Sequence, residues 1–321
     1  MEQRRMLPRV SVVMANYNYA RYLRAAIDSV LNQTLGDLEL NIVDDGSTDG
    51  SREIIESYLH DTRVCFRPVE HFGQSCAKNA GIEMARGPLI AFLDADDIWA
   101  PQKLQKQVAL FDRDPALGVV YSRRTLIDQN GTELPYRQPP FHRGDVLEQI
   151  FRDNFVCFSS AVVRRIVVEH VGMFDERSGL AIDYDLWLRA AAHYRFDYVD
   201  ESLIQYRCGH GNISRRVGER LKTAMLMMRR FLARGRGRLP PKAISRTMAE
   251  TCCHYGIAVR PFDPLASLRW FTRSLRHAPQ HRPAWRGLAG ALLPARVRRL
   301  LRRGGDWEAA YRVPENDPRN S

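Results

Sequence analysis

The chain has 321 residues, which is more than one domain usually holds, so we expect one large domain with an additional segment. Hydrophobic residues make up 45% and charged residues 26% of the sequence, as in a globular protein. No apolar run reaches the roughly 18 residues needed to cross a bilayer, and residues 1–8 lead into a predicted strand rather than into a signal-peptide core. We therefore expect a cytoplasmic protein whose six cysteines, which lack Cys-x-x-Cys spacing, stay reduced.

Charge is distributed unevenly along the sequence. Residues 216–321 contain 23 Lys and Arg against 7 Asp and Glu, whereas residues 1–215 contain 25 against 30. A mildly acidic part suits a site that holds a cation, and a strongly basic part suits a phosphate-bearing surface such as anionic lipid or nucleic acid.

The first 93 residues alternate between predicted strands and predicted helices. Short apolar runs that predict buried strands are followed by stretches with apolar residues at helical spacing. The predicted strands are residues 10–15, 38–43, 64–66 and 88–93, and the predicted helices are residues 22–31, 54–59 and 74–84. This alternation predicts an α/β fold with a mostly parallel sheet, helices on both faces, and a binding crevice at the carboxyl ends of the strands.

Three carboxylates follow the fourth predicted strand, at Asp94, Asp96 and Asp97. Carboxylates gathered at one strand end repel one another unless a cation neutralises them, and Mg²⁺ prefers such oxygen ligands together with substrate phosphates. The motif predicts a metal that binds a diphosphate. Acidic triplets also occur in solvated turns, so the motif alone leaves that alternative open.

Two other polar motifs follow predicted strands directly, Asn16-Tyr17-Asn18 and Asp44-Asp45. An aromatic ring there can stack on a nucleobase, and a carboxylate can accept from a base imide or a ribose hydroxyl. The alternative is that residues 44–47 form only a turn that caps the next helix. Neither a Gly-x-Gly-x-x-Gly motif after the first strand nor a P-loop motif is present, which argues against dinucleotide and P-loop folds.

These motifs, with Ser29-Val30-Leu31-Asn32-Gln33-Thr34 and Ala77-Lys78-Asn79-Ala80-Gly81, resemble those of family 2 glycosyltransferases over about residues 9–214. Members are inverting enzymes of the GT-A fold that use nucleotide-sugar donors. The resemblance implies that Asp45, helped by Asp44, binds the nucleobase, that Asp94 lies near the ribose, and that Asp96 binds a divalent metal, Mg²⁺ or Mn²⁺. The positions it implies for the nucleotide-sugar site are Asn16, Tyr17, Asn18, Asp44, Asp45, Lys78, Asn79, Asp94 and Ala95.

The family also implies a catalytic base near residue 183. Its usual pattern, Glu-Asp-x-Asp/Glu-Leu-Trp-Leu, aligns Asp183 with the catalytic Asp, at the start of a predicted helix. Ile182 stands where the family has Glu, which removes an acidic neighbour. The alternative is that Asp183 or Asp185 merely caps the helix.

A second departure from the family pattern lies at residues 206–214. The family has Tyr-Arg-x-His-x-x-Asn-x-Ser, with the His near the diphosphate or metal, but here Gly209 holds that position and His210 follows it. The glycines on either side of His210 would let it reach the same place as a metal ligand. A solvated loop histidine is the alternative.

The basic part, residues 216–321, is predicted to be helical and separate from a catalytic domain of residues 1–215. Its helices form either a bundle packed on that domain or a tetratricopeptide-like pair. In residues 296–303, helical spacing places five arginines opposite three apolar residues, which suits the surface of an anionic membrane. A solvated helix, or one docked on the acidic part of the chain, is the alternative. No nucleic-acid-binding module is recognised, so we expect no nucleic-acid partner.

Together these features predict a metal-dependent inverting glycosyltransferase that moves a sugar from a nucleoside diphosphate, with UDP favoured, to a hydroxyl of a glycan or lipid-linked acceptor in cell-envelope polysaccharide synthesis. We expect it in the cytoplasm, with peripheral contact at the inner membrane face. Two other classes stay open. One is a nucleotide-sugar-binding scaffold that has lost catalysis, and the other is a nucleotidyltransferase, which would need a glycine-rich basic loop that is not seen after the first strand.

Overall fold

A computed structural model describes residues 7–177, 181–209, 217–235 and 239–292. These residues fall into two compact units. The first lies within Met1–Gly211 together with Leu226–Arg238, and the second lies within Asn212–Met225 together with Leu239–Ser321.

The first unit begins with the predicted alternation of strands and helices. All four strands and all three helices occur, with ends that differ from the predicted ones by a few residues. They are β1 (Val10–Asn16), α1 (Ala20–Leu31), β2 (Leu38–Asp44), α2 (Ser51–Glu56), β3 (Val64–Pro68), α3 (Gln74–Met84) and β4 (Leu89–Asp94).

Strand β1 is central in this part of the sheet and pairs in parallel with both β2 and β4. In the register, Asn16 lies opposite Asp44, and Ala15 lies opposite Asp94. The residues that follow the three strands therefore emerge at the same edge of the sheet. The parallel register confirms the expected convergence of the three polar motifs.

The rest of the first unit extends the sheet with strands of mixed direction. These elements are β5 (Ile98–Trp99), α4 (Lys103–Arg113), β6 (Leu117–Ile127), β7 (Glu133–Leu134), α5 (Leu147–Arg152), β8 (Val162–Arg164), α6 (Arg165–Val171), α7 (Ile182–Ala191) and β9 (Arg195–Arg207). The sheet has the order β3-β2-β1-β4-β8-β6-β9-β5, and β7 pairs with β6.

The short strand β8 lies between β4 and β6 and runs antiparallel to both. The sheet therefore reverses direction beside β4, at the strand whose end carries the acidic motif. Beyond it, β6 and β9 pair in parallel through a register with bulges. This reversal was not predicted, because strand direction depends on pairing between segments far apart in the sequence.

The apolar residues of α1 show why the first elements assemble. Leu23, Ile27 and Val30 are spaced for one helical face, and all are fully buried in a cluster with Val12 and Leu40 of the neighbouring strands. Burial of such side chains contributes about 1.5–3 kcal/mol each, so the helix is held against the sheet by this face.

The helices of the second unit are α9 (Pro241–Val259), α10 (Pro264–His277) and α11 (Arg282–Leu292), and α8 (Val217–Ala233) precedes them. Phe271 of α10 is fully buried with Cys253 and Ala284. A Cβ atom at Gly287 would lie 2.4 Å from the Phe271 ring, so the close approach of α11 requires glycine there. Among the described residues, no helix is both long and apolar enough to span a bilayer. The basic segment 296–303 lies outside the described residues.

Candidate active site

Asn16 and Asp44 form the floor of the crevice at the sheet edge. The Asn16 amide Nδ2 donates to Asp44 Oδ1 at 2.7 Å, and the Ser47 hydroxyl donates to the same oxygen at 2.6 Å. The Ser47 backbone N–H donates to Asp44 Oδ2 at 3.0 Å. Both oxygens of Asp44 are therefore engaged in holding the turn that follows β2. Asn16 Oδ1 is buried and has no hydrogen-bond partner among the described residues, which leaves it able to accept from a ligand.

Asn18 joins the turns that follow β1 and β2. Its φ is 59°, a left-handed conformation that Asn tolerates better than most residues. Its backbone N–H donates to the Ser47 hydroxyl at 2.9 Å, and its Oδ1 accepts from the Thr48 N–H at 2.8 Å. The exposed Asn18 thus mainly links the loop after β1 to the loop after β2 through hydrogen bonds.

Asp45 is buried and organises a loop that sequence reasoning did not include in the site. Its Oδ1 accepts from the Phe72 N–H at 2.9 Å, and its Oδ2 accepts from the Gly73 N–H at 3.0 Å. His71 Nδ1 also lies 3.0 Å from Asp45 Oδ2, and the His71 ring stacks on the exposed Tyr17 ring at 4.1 Å. The carboxylate therefore fixes the loop that faces Tyr17, where a base is expected.

Lys78, the first of two adjacent polar residues of α3, faces the acidic motif. Its Nζ lies 3.0 Å from Asp94 Oδ1 and 3.7 Å from the centre of the Phe158 ring, and the side chain is buried. The Lys78 ammonium therefore offsets part of the negative charge at the end of β4. Ala95, also at that end, is buried.

Asn79 points the other way and makes a reciprocal pair of hydrogen bonds with Phe174. Its Nδ2 donates to the Phe174 carbonyl at 3.0 Å, and its Oδ1 accepts from the Phe174 N–H at 3.0 Å. Nδ2 also lies 3.2 Å from Glu176 Oε1. The structure thus shows Asn79 holding the segment after α6, a structural role that the sequence had not predicted.

Asp97 is fully buried below the acidic motif. It accepts hydrogen bonds from the Ser159 hydroxyl and, at 2.8 Å, from the Arg207 backbone N–H. Burial, followed by the charges of Asp96 and Asp94, raises the pKa of Asp97 well above its usual value. The Ser159 hydroxyl also accepts from the Asp94 N–H at 3.1 Å. Ser159 and Arg207 therefore support the motif from two different segments, and sequence reasoning had missed both roles.

Tyr19 is a further aromatic residue close to the acidic motif. Burial raises the pKa of the Tyr19 hydroxyl, and the charges of Asp96, Asp94 and Asp97 raise it further. The phenol therefore stays neutral and can donate a hydrogen bond. Tyr19 lies directly before α1 and belongs to no motif in the sequence, so it was not predicted as a site residue.

The residues at the end of β4 fit a hard divalent cation. Asp94 and Asp96 bring two carboxylates to this strand end, and carboxylate oxygens are the ligands that Mg²⁺ and Mn²⁺ prefer. Within the described ranges, however, no group of three or more His, Cys, Asp or Glu side chains is arranged to hold a metal. His210 lies outside the described residues. The assignments of Asp96 and His210 as metal ligands therefore remain predictions.

Asp183 lies in the first turn of α7, as predicted, and is half-buried. Asn154 Nδ2 donates to Asp183 Oδ2 at 3.0 Å. Ile182, which stands where the family has Glu, is buried. The Ile182 side chain therefore packs in the core, and it adds no polar group beside Asp183. The base assignment itself stays a prediction.

Asp185 has a different role from Asp183. It forms a buried ion pair with Arg189 at 2.8 Å, and Arg189 Nη1 donates to the Val171 and Gly172 carbonyls at 2.6 Å. Arg189 Nη2 reaches the Met173 carbonyl at 2.8 Å. Asp185 therefore holds the arginine that shapes the segment after α6.

Solved structures with a similar fold are glycosyltransferases. Staphylococcus aureus TarS 1-349 in complex with UDP-GlcNAc superposes with a TM-score of 0.65 at 15% identity, covering 93% of each chain. A mannosyltransferase from Pyrobaculum calidifontis in complex with GDP-Man and Mn²⁺ gives a TM-score of 0.57 at 20% identity, covering 92% of this chain and 88% of that one. At these identities the likeness establishes the fold, and it confirms the expected GT-A-type α/β class with C-terminal helices.

Sequence comparison identifies the family. Residues 11–172 match the model described as Glycosyl transferase family 2. An uncharacterized glycosyltransferase of Methanocaldococcus jannaschii is 34% identical over 206 residues, which cover 62% of this chain and 71% of that protein. The chain belongs to glycosyl transferase family 2, and the resemblance seen in its motifs is confirmed.

Two other relatives show how far the match extends. An uncharacterized glycosyltransferase of Nostoc sp. is 37% identical over 217 residues, covering 63% of this chain and 65% of that protein. Chondroitin synthase of Pasteurella multocida is 30% identical over 210 residues, which are 64% of this chain and 21% of the synthase. The chain thus spans just under two thirds of the Nostoc relative and about a fifth of the synthase.

Proposed function

We propose that this protein is an inverting, metal-dependent glycosyltransferase that transfers a sugar from a nucleoside diphosphate sugar, with UDP as the favoured nucleotide, to a hydroxyl of a glycan or lipid-linked acceptor. The observation that carries the proposal is the parallel register of β1, β2 and β4, which brings the motifs at Asn16, Asp44 and Asp94 to one sheet edge. Family membership supports it, as do solved neighbours in complex with UDP-GlcNAc and GDP-Man.

The nucleoside would lie between the first two motifs. Tyr17 offers an exposed ring for stacking, and the loop that Asp45 holds faces it. Asp45 keeps lone pairs beyond the two backbone hydrogen bonds, so it can still accept from a base imide. Asn16 Oδ1 is a buried acceptor that has no hydrogen-bond partner among the described residues. A pyrimidine such as uracil, which presents an imide N–H, fits these acceptors.

The diphosphate would lie at the end of β4. Asp96 is the residue that would hold Mg²⁺ or Mn²⁺, with His210 as a further candidate, and Asp94 would lie near the ribose. Such an ion, when bound, stabilises the charge of the departing nucleoside diphosphate. Lys78, paired with Asp94 at 3.0 Å, is close enough to this end of the strand to add positive charge.

Asp183 would act as the general base. Its carboxylate takes the proton of the acceptor hydroxyl as that oxygen forms a bond to the anomeric carbon. The bond from the anomeric carbon to the phosphate oxygen breaks at the same time, and the nucleoside diphosphate leaves with the electron pair. Attack from the face opposite the leaving group inverts the configuration at the anomeric carbon.

The acceptor side of the proposal rests on charge and on the relatives. Residues 216–321 contain 23 basic but only 7 acidic residues. This positive charge favours peripheral contact with an anionic membrane, where lipid-linked glycans are extended. The chondroitin synthase and hyaluronan synthase of Pasteurella multocida are similar proteins that support a polysaccharide acceptor. We place the protein in the cytoplasm, at the inner membrane face.

A thermal-shift screen tests the donor site. UDP, GDP, CDP and dTDP are each added with and without Mn²⁺ to the wild type, to Asp96→Ala, and to Asp112→Ala, an exposed acidic residue that pairs with Arg9 as a matched control. We expect stabilisation by UDP that needs Mn²⁺, is lost in Asp96→Ala and persists in Asp112→Ala. No stabilisation by any nucleotide would contradict the donor site.

Product analysis separates the three classes of function. A glycosyltransferase releases a nucleoside diphosphate from the nucleotide-sugar, and Asp183→Asn abolishes that release. A nucleotidyltransferase would release pyrophosphate instead. A scaffold would bind the nucleotide with metal and release neither product.

A further inference from the structure

Asn154 contacts the proposed base directly. It lies two residues after the end of α5 (Leu147–Arg152), and its Nδ2 donates to Asp183 Oδ2 at 3.0 Å. A carboxylate can only accept, so the amide must present its NH₂ group rather than its oxygen to Asp183. The chemistry of the pair therefore sets the orientation of the Asn154 side chain.

The segment that carries Asn154 is firmly held. The next residues, Phe155 and Val156, are buried, and the Phe155 ring packs on Tyr121 with a centroid distance of 5.5 Å. On the other side of the contact, the Tyr184 hydroxyl donates to the Phe151 carbonyl at 2.8 Å, which ties the first turn of α7 to α5. Asn154 and Asp183 thus approach each other from two anchored elements.

The same segment ends at Ser159, whose hydroxyl bonds to Asp97 and accepts from the Asp94 N–H. Only four residues, 155–158, therefore separate the residue that holds Asp183 from the residue that supports the acidic motif. This connection relates the position of the base to that of the donor diphosphate through a short, largely buried segment.

Asp183 and Asn154 each have one side-chain oxygen without a hydrogen bond from the described residues. Among the described residues, no hydrogen bond reaches Asp183 Oδ1, and Asn154 Oδ1 is buried without a partner. Both are acceptors, and they belong to side chains in direct contact. A water molecule, or an acceptor with two neighbouring hydroxyls, could give one proton to Asp183 and donate a second hydrogen bond to Asn154 Oδ1.

We propose that Asn154 is a positioning residue of the transfer reaction. The Asn154 N–H holds Asp183 Oδ2 and leaves Asp183 Oδ1 to take the proton of the reacting hydroxyl. Asn154 Oδ1 accepts a hydrogen bond from a second O–H, either a neighbouring hydroxyl of the acceptor or the other hydrogen of a water molecule. This role rests on the proposed function, in which Asp183 is the base. It assigns acceptor binding to the segment after α5, for which the sequence shows no motif.

The test compares Asn154→Ala and the isosteric Asn154→Asp with the wild type, using UDP release from UDP-GlcNAc with Mn²⁺ at pH 8 and water as acceptor. We expect kcat to fall about 10- to 100-fold in Asn154→Ala with the KM for UDP-GlcNAc within twofold, because misplacement of a reacting group costs rate rather than donor binding. Asn154→Asp keeps the shape but loses the N–H, so we expect it to be no better than Asn154→Ala. A packing role predicts the reverse order.

Gln149→Ala is the matched control. Gln149 lies on α5, and its Oε1 is also buried without a partner among the described residues, but no hydrogen bond of the described part of the chain joins it to Asp183. We expect it to keep wild-type kcat. An equal loss in Gln149→Ala, or full activity in Asn154→Asp, would overturn the proposal. If Asp183→Asn keeps activity, the proposed base itself fails, which is a separate result.

A crystal structure of the wild type decides the matter independently of turnover. We expect Asn154 Nδ2 within hydrogen-bond distance of Asp183 Oδ2, and a changed or multiple Asp183 rotamer in crystals of Asn154→Ala. An Asp183 side chain that is turned away from Asn154 in the wild type, or an unchanged one in Asn154→Ala, would refute the positioning role.

Discussion

The backbone N–H of Arg207 donates to Oδ1 of Asp97 at 2.8 Å, joining residues 110 positions apart in the sequence. The Arg207 side chain extends the same connection, because Nε donates to the Asp96 carbonyl at 2.9 Å and Nη1 donates to the Asp128 carbonyl at 3.0 Å. The end of β9 thereby fixes the turn that presents the acidic motif.

Replacement of Arg207 should damage both stability and the site. Arg207→Ala removes charge-assisted hydrogen bonds to two carbonyls, so we expect the free energy of unfolding to fall by roughly 3 kcal/mol. Urea denaturation measures this loss. Arg195→Ala, which breaks an exposed pair with Asp114, should change the same quantity by less than about 1 kcal/mol. Equal losses in the two variants would contradict the role of Arg207.

Lys78 and Asn79 are neighbours on α3 with different expected roles. Lys78→Ala removes the cation beside Asp94, so we expect nucleotide affinity measured by calorimetry to fall at least about tenfold, the scale of one charge-assisted contact. Asn79→Ala breaks the bonds to Phe174, so we expect a loss of about 2 kcal/mol in stability. The affinity of folded Asn79→Ala should stay within about threefold. A tenfold loss there would instead make Asn79 a donor-binding residue.

Lys103 should make stability depend on pH. It is fully buried, its Nζ lies 3.9 Å from the centre of the Trp99 ring, and no described residue accepts a hydrogen bond from it. Burial lowers the pKa of Lys103 well below 10.5, the ordinary value for lysine. Between these two pKa values the unfolded chain binds the proton and the folded chain does not, so this group makes stability rise with pH over that window.

Lys103→Met tests this dependence. Methionine has similar length and needs no partner, so we expect a gain of about 1–3 kcal/mol in the free energy of unfolding at pH 7. The gain should shrink as pH approaches 10.5, where unfolded lysine loses its proton. Urea denaturation from pH 6 to pH 10 follows it. A gain that is constant across this range would show that packing, not ionisation, explains the effect.

Binding to anionic lipid tests the membrane proposal. We expect vesicles containing phosphatidylserine to sediment the protein at low salt and to release it at about 1 M salt, where the Debye length is about 3 Å. Vesicles of phosphatidylcholine alone are the control. A variant with Ser at the five arginines of residues 296–303 should lose most binding. Sedimentation that is independent of lipid charge would contradict an electrostatic contact.

Much of the candidate site could be predicted from the sequence because its residues follow strands directly. The alternation of apolar runs predicts a parallel sheet, and a parallel sheet places the residues after β1, β2 and β4 at one edge whatever the loops do. The convergence of Asn16, Asp44 and Asp94 could therefore be predicted from the strand assignments alone. Asp183 was predicted from its family motif and its place at the start of α7.

Only the tertiary structure decided how these residues are supported. Asn154, Ser159 and Arg207 act on carboxylates from distant segments, and no local period marks a residue whose partner is far along the chain. The same reason explains why Asn79, next to Lys78 in one motif, turns to Phe174 while Lys78 turns to Asp94. Residues that are adjacent on a helix point about 100° apart, so their roles depend on what packs on each side.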